Sequence, residues 1–512
     1  MKNQQSFKHF FWLSIILIML LVVWGYSFGR GNSIQLIPYL QHTHDHSLFS
    51  NDFFVQYATQ NLPNERSLFL LLLQPFGVNL EWPAFIFHIL CTLAMLYAML
   101  QIAFYFLKNY ALSYAAIIIT FFPLLYHTLG LNEIYGGEFN SSLISDVFSL
   151  WAILLMLRNR IGWCYTSLIL ATFMHPLSGM QTFLLISGAL LFMALANKQY
   201  TIIKKQYLLP VVIYLCTAGT FIILLQLRLH DVEWNEADFF RAFFVFRNGH
   251  HYLPTEYKHL DWLILGPLYL ITPLFYYKRN KQVFVFSILI IIGCILFSIG
   301  VLILESTTIA TAQWFKTTMW LEWFAVIGLM LFAQKVLEHL NKQSLHRLIL
   351  PAVIIVSGAY AFLVFPKIPL KNDISYEFPF YKKITPEIDI ATLAKQVTPK
   401  NALFIEPCSF DQLKYYGQRS SFVDYKALTH SKSFIKEWTS RFKSVYQIDP
   451  LTSETISFTA MHEADERYRK LTAEELTALK TQFGITHIIM YADNPLPFKK
   501  LASNDRYAIY EL

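Results

Sequence analysis

The sequence predicts an α-helical polytopic membrane bundle of about eleven spans over residues 1–366, followed by an extracytoplasmic α/β domain over 367–512. Three observations carry that prediction. Hydrophobic residues make up 55% of the 512 and charged residues 15%, against about 25% charged in an ordinary soluble domain. Apolar runs long enough to cross about 30 Å of hydrocarbon recur along the first part of the chain. Beyond residue 366 the runs stop, acids and bases come into near balance, and turn residues become frequent.

The apolar runs lie at about 10–29, 83–106, 110–128, 142–157, 162–177, 179–196, 207–227, 260–277, 283–304, 317–334 and 348–366. Only Arg158-Asn159-Arg160-Ile161 separates the fourth run from the fifth, which reads as a tight helical hairpin. The first run follows Lys2 and Lys8 but lacks a small-x-small cleavage site near its end, so it reads as an anchor helix. Lys and Arg set the orientation. With the N-terminus cytoplasmic, Lys108, Arg158, Arg160, Lys198, Lys204, Lys205, Lys278, Arg279, Lys281, Lys335, Lys342 and Arg347 share one side with the single acid Glu338. An odd number of spans then sends the C-terminal domain to the outside. The formal charge of +7 thus reports topology and gives no support to a nucleic-acid partner. Cys91, Cys164, Cys216 and Cys294 sit in apolar runs and Cys408 stands alone, so neither a disulfide framework nor a zinc pattern is present.

In the C-terminal domain, Thr385-Pro386-Glu387 reads as a helix start with proline at the first helical position. Ala402–Glu406 and Ser421–Tyr425 read as strands, as do Ile485–Tyr491 and Tyr507–Leu512. Ser431–Tyr446 has helical spacing through Phe434, Trp438, Phe442 and Tyr446. Thr472 caps a helix with Glu475 three residues on, and Gly484 ends it. There is no G-x-G-x-x-G and no Walker loop, so nucleotide binding is unsupported.

The polar residues of the membrane region gather in the outer loops. The first loop holds His42, His44, Asp45, His46 and Asp52. His44, Asp45 and His46 are candidate ligands for a divalent ion such as Mg or Mn, since imidazole and carboxylate are suitable donors. Asp45 or Asp52 is a candidate catalytic carboxylate; a solvated loop is the plain alternative. Ser67–Phe76 is apolar but too short to span, and reads as an interfacial or packed helix. The second loop places Glu133 and Glu138 around Gly136-Gly137, where a sharp turn would let both face one cavity. Asp146 and Glu322 fall inside spans, and an ionisable residue there is a functional candidate by default. His175-Pro176 joins two spans, as a cavity residue or a plain turn. The fourth loop begins with the acids Asp231, Glu233, Glu236 and Asp238 and continues to Arg247, His250 and His251. Arg247 offers the planar fork that suits phosphate, and the His pair offers acid–base chemistry near neutral pH. Gln313 and Lys316 open the tenth span, with Lys316 as partner to a carboxylate or pyrophosphate, or snorkelling to headgroups. Gly417–Ser420 and Asp424–Lys426 are candidate rim contacts in the C-terminal domain.

The N-in first helix, the carboxylate-bearing first loop, the short helix after it, the spans and the exterior α/β domain together resemble the GT-C class of membrane glycosyltransferases. The strings His-Asp-x-x-Leu-Phe-x-x-Asp (44–52), His-Pro-x-x-Gly (175–179), Arg-x-x-His-His-Tyr-x-Pro (247–254), Gln-x-x-Lys (313–316) and Phe-Val-Asp-Tyr-Lys (422–426) also resemble an uncharacterised family of bacterial multi-pass proteins within that group. The resemblance implies a bacterial inner-membrane enzyme of the cell envelope. It would move a sugar from a polyprenyl-phosphate donor to a glycan, lipid or protein acceptor on the periplasmic side. It implies a first-loop base, Asp45 or Asp52, with the choice open. A second acid pair would map onto Glu133 and Glu138, and many members of the class use a divalent metal. Arg247, His250, His251 or Lys316 would then stabilise the departing lipid phosphate. A polysaccharide polymerase or ligase on a lipid-pyrophosphate donor, a transporter or flippase, and a non-catalytic envelope-assembly protein remain alternatives.

Overall fold

Helices stand at all eleven apolar runs, and their lengths sort them. The computed structural model describes residues 2–122, 128–229, 232–340, 346–359 and 376–512. Among these, six helices are long and apolar enough to cross a membrane: Ser6–Trp24, Glu81–Leu107, Pro176–Ala196, Tyr200–Leu227, Lys281–Leu302 and Thr307–His339. They mark a membrane-associated protein. Tyr110–Phe121, Ser141–Leu157, Ile161–Met174 and Leu348–Ala359 are apolar but shorter. His259–Tyr276 carries Pro267 and Pro273 within it. The later parts of the runs at 110–128 and 348–366 lie outside the described residues, as does the expected domain boundary after 366.

The chain gathers into two compact units that are not contiguous in sequence. The first contains Met1–Tyr26, Ile86–Ile222 and His251–Ser375; the second contains Ser27–Phe85, Ile223–His250 and Tyr376–Leu512. The first loop, and the fourth as far as His250, are therefore built into the same unit as the C-terminal residues. A boundary drawn in chain order cannot express this, because both loops return to the helices that flank them.

In the first unit, Ser141–Leu157 and Ile161–Met174 form the expected hairpin. Asn159 makes the turn with φ 54°, a left-handed conformation that Asn tolerates better than most residues. The next helix, Pro176–Ala196, starts at a proline, and the His175 Nδ1 caps it by accepting from Ser178 N–H at 3.3 Å. A Cβ at Gly179 would collide with the backbone of Thr172. Glycine there lets the chain fold back tightly across the His175-Pro176 break.

The second unit is built on a five-stranded sheet of order β4-β3-β5-β7-β6, with β3 Leu403–Ile405, β4 Ser420–Ser421, β5 His487–Tyr491, β6 Lys499–Ser503 and β7 Tyr507–Glu511. β3 runs parallel to β4 and β5, while β7 pairs antiparallel with β5 and β6. A separate hairpin, β1 Glu377–Phe378 with β2 Tyr381–Lys382, precedes it. The helix Pro386–Val397 is capped by Thr385. The helix Ala473–Phe483 has the full Thr472–Glu475 capping box and ends on Gly484 at φ 70°. Phe434, Trp438, Phe442 and Tyr446 are all buried along one face of Lys432–Tyr446. Tyr446 donates to Glu406 O, and Tyr468 donates to Ile405 O and Ile489 O, so this aromatic layer also satisfies strand carbonyls. Ser67–Leu73 is a short helix that buries Phe69, Leu70 and Leu73 while Leu71 stays exposed.

Candidate functional site

Among the described residues, each unit gathers charged side chains that are shielded from water. In the second unit, Asp52 caps the helix Phe53–Gln60 by accepting from Val55 N–H at 2.9 Å. The same carboxylate takes Lys414 Nζ at 3.0 Å and, on its other oxygen, Ser421 N–H at 2.9 Å. Lys414 also pairs with Asp424 at 2.6 Å. Asp52 is 0% exposed. Burial works against the Lys414 ammonium, but Asp424 and Asp52 outweigh it and raise its pKa. Burial raises the Asp424 carboxyl in spite of Lys414. Glu406, beside them, accepts from the Ser421 hydroxyl, and burial pushes its carboxyl well above the usual range, helped by Asp424 and Asp52. Asp52 is thus an internal tether of the first loop, with no face left for an acceptor hydroxyl.

Arg247 ends the wide-turn helix Phe240–Arg247 and is 6% exposed. Its Nε donates to Tyr425 O, its guanidinium lies 4.0 Å from the centre of the Tyr425 ring, and it reaches Asn248 Oδ1 at 3.3 Å. Burial pulls its pKa down. The fork expected to meet a phosphate is therefore buried inside the unit, with its Nε and one terminal nitrogen engaged there. His250 accompanies it, with its N–H donating to Ser457 Oγ at 3.0 Å and its ring 4.4 Å from Phe458. His251 belongs to the first unit, where its ring nitrogen meets Gly130 O at 2.8 Å. The acids at the start of this loop are partly described: Glu236 pairs with Lys432, and Asp231 lies outside the described residues. Arg419 closes the C-terminus of Pro386–Val397 by donating to Lys395 O, Thr398 O and Thr398 Oγ1.

The proposed metal ligands do not converge. Asp45 turns back to accept from Ser47 N–H and Oγ, and pairs with Lys400 at 3.1 Å. The Ser47 hydroxyl first, then Lys400, hold its carboxyl down at about 2. His44 and His46 are exposed, and the His46 ring meets His42 edge-on at 5.2 Å. Among the described residues no three His, Cys, Asp or Glu side chains are grouped to hold a metal ion.

The first unit gathers a different set. Lys316 Nζ donates to Ser142 Oγ at 2.9 Å, and Ser142 Oγ donates to Asp146 Oδ2 at 3.3 Å. Lys316 stands in the turn Trp314–Thr317 and the other two on the helix Ser141–Leu157. Exposed Glu133 acts electrostatically on the same lysine. Ser142, Ser145, Asp146 and Ser149 form one stripe at helical spacing. Within it, Ser145 Oγ, Asp146 Oδ1 and Ser149 Oγ are buried with no hydrogen-bond partner among the described residues. Buried polar atoms are nearly always partnered, so three on one stripe single it out as a polar lining within an apolar helix. Glu138 is buried and accepts from Asn140 at 2.9 Å, so the Gly136-Gly137 turn separates the two loop acids by burial. Gln313, left-handed at φ 40°, offers its carbonyl with that of Ala312 to Gln181 Nε2.

The sequence reading singled out Lys316, Asp146 and Glu133 separately but missed the stripe. Its signal was present as Ser-Ser-x-x-Ser-Asp-x-x-Ser over 141–149 within an apolar run. It also missed Lys414, Glu406 and Ser421. Residues 385–445, which contain those three and Asp424, match a family model described as a domain of unknown function, DUF6798. No curated protein matches the chain.

Proposed function

We propose that the chain is a membrane glycosyltransferase that moves a sugar from a polyprenyl-phosphate donor to an extracytoplasmic acceptor, working at the Lys316 cluster of the first unit. The observation that carries this reading is a lysine and two carboxylates drawn from three parts of the chain, beside a polar stripe with unpartnered buried atoms. Charge in a membrane bundle is expensive and is retained at substrate sites. Lys316 faces the lipid phosphate and stabilises it as it leaves. Ser142 and Asp146 hold the ammonium in place. Glu133 takes the proton of the acceptor hydroxyl as that oxygen bonds to the anomeric carbon. The bond from that carbon to phosphate oxygen breaks, and the configuration inverts. The finer topology fits the same scheme: a bacterial inner-membrane protein with about eleven spans, a cytoplasmic N-terminus and the second unit outside.

The test is sugar transfer from lipid-linked donors by purified protein, with Lys316→Ala and Glu133→Gln compared to the unaltered chain. Full transfer by correctly inserted Lys316→Ala protein overturns the reading. Buried Glu322, within Thr318–His339, favours a second reading as a transporter. That reading requires sealed vesicles for activity, whereas transfer chemistry survives in detergent.

A further inference from the structure

The second unit carries an aromatic cluster that neither group of charges uses. In the hairpin of β1 and β2, Glu377 stands opposite Lys382 and Phe378 opposite Tyr381. At its turn, the Phe380 ring stacks on Phe378 at 5.2 Å, and it packs against Phe85 at 5.9 Å and Trp82 at 6.4 Å. Trp82 lies in the first turn of the helix Glu81–Leu107. These rings are covered on one side only. Phe380 is 67% exposed, Tyr381 59%, Ile384 72% and Trp82 53%. The hairpin is fastened to the start of that helix, since Lys382 pairs with Glu81 at 2.8 Å and Tyr415 donates to the same carboxylate at 2.9 Å. Its aromatic face is therefore held in a fixed place. Large apolar residues left exposed close together along one short segment mark an interaction surface.

We propose that this face, Phe380, Tyr381 and Ile384 with Trp82, is a bilayer contact seated at the boundary between phospholipid headgroups and acyl chains. Glu81–Leu107 is long and apolar enough to cross a membrane. A surface packed on its first turn shares the depth at which that span enters the bilayer. Trp and Tyr are favoured at that depth because their rings are amphipathic. The polar fringe agrees, because Glu81, Lys382 and Lys383 border the rings in sequence. A surface sunk in hydrocarbon would not keep an ion pair, and a surface in water would not leave four large apolar side chains open. The occupant is lipid, because the patch continues from the start of a spanning helix. The hairpin then gives the second unit a membrane contact of its own.

The test uses the full chain in phospholipid membranes, with a benzophenone-bearing amino acid replacing Phe380 in one variant and Tyr381 in another. Illumination is followed by intact-mass measurement. The expected result is an adduct of one phospholipid at both positions, equal to that from the same replacement at Leu90, which is exposed on the Glu81–Leu107 helix. The replacement at Lys499, on exposed strand β6, gives none. A polypeptide adduct at 380 and 381, or no phospholipid adduct there while position 90 labels, overturns the proposal. Lipid labelling at Lys499 as strong as at Phe380 also overturns it. Should both replacements misfold, Ile384→Cys bearing a polarity-sensitive fluorophore gives a second readout. Quenching by spin-labelled lipid is expected, and quenching only by aqueous iodide refutes the contact.

Discussion

The two charge clusters differ in how fully they are satisfied. Around Lys414, both oxygens of Asp52 are taken by hydrogen bonds and the ammonium lies between two carboxylates, while Glu406 Oε2 at the edge has no hydrogen-bond partner among the described residues. Around Lys316, one Asp146 oxygen accepts from Ser142, while the other and two serine hydroxyls on the same stripe have no hydrogen-bond partner among the described residues. A saturated buried network holds a structure together, because any outside ligand would have to displace bonds already made. A network with open valences in a low-dielectric setting keeps its cost until something binds. The difference favours an architectural role for the first cluster and is consistent with the chemistry proposed at the second, although the sequence offered the first loop as the place for chemistry.

The largest expected effect breaks the saturated side. Lys414→Ala leaves Asp52 and Asp424 buried together without a cation. Removing one partner of a buried pair costs about 3–5 kcal/mol. Thermal unfolding in detergent should show the loss, and an unchanged Tm would mean that the pair is not the tether described above. On the open side, Lys316→Ala should lower sugar transfer by about a hundredfold, the scale of losing one positioned donor to a developing anion. Its Tm should fall by less than that of Lys414→Ala, because Lys316 reaches its one buried carboxylate, Asp146, through Ser142, whereas Lys414 pairs directly with two. If it unfolds as Lys414→Ala does, the contrast between the clusters fails.

Another buried carboxylate of the second unit, apart from the Lys414 group, is testable by pH. Glu377 is buried, accepts from Phe28 N–H at 2.7 Å, and burial pushes its carboxyl up to about 7. In the unfolded chain a glutamate titrates near 4.3. Between these values the folded state binds more proton, so stability is greatest below the unfolded value. It falls as pH rises toward 7 and levels off above. The total fall is about 2 kcal/mol when relaxation around a buried group is allowed for. Glu377→Gln should flatten that slope in unfolding measured from pH 4 to pH 8. A slope unchanged by the substitution would move the titration to another group.

How much of this was legible follows the distance over which each signal acts. Thr385, Thr472 with Glu475, and Gly484 announced helix ends because capping is decided within a few residues. The buried stripe from Phe434 to Tyr446 was readable because its period was helical. β6 was missed because Lys499-Lys500-Leu501-Ala502-Ser503 is a polar edge strand with little alternation to detect. Asp52 and Arg247 were read as exposed loop residues. Their partners, Lys414 and Tyr425, lie far along the chain, and nothing local records that pairing. For the same reason the Lys316 cluster was visible as separate charges and invisible as a site.

The smallest expected effect concerns Asp45, the one first-loop carboxylate that remains reachable from solvent. Its exposure would suit a general base, but its hydrogen bonds do not. A carboxyl held at about 2 by Ser47 and Lys400 is a weaker proton acceptor than an ordinary carboxylate, and general-base efficiency improves as the pKa approaches the working pH. Asp45→Asn keeps the side chain's shape and one acceptor oxygen for Ser47, and loses the ion pair with Lys400. An exposed pair of this kind contributes little to stability. Transfer activity and Tm should both stay near those of the unaltered protein, while Glu133→Gln assayed beside it loses turnover. A loss confined to Asp45→Asn would return the base to the first loop and reverse the assignment of chemistry between the two clusters.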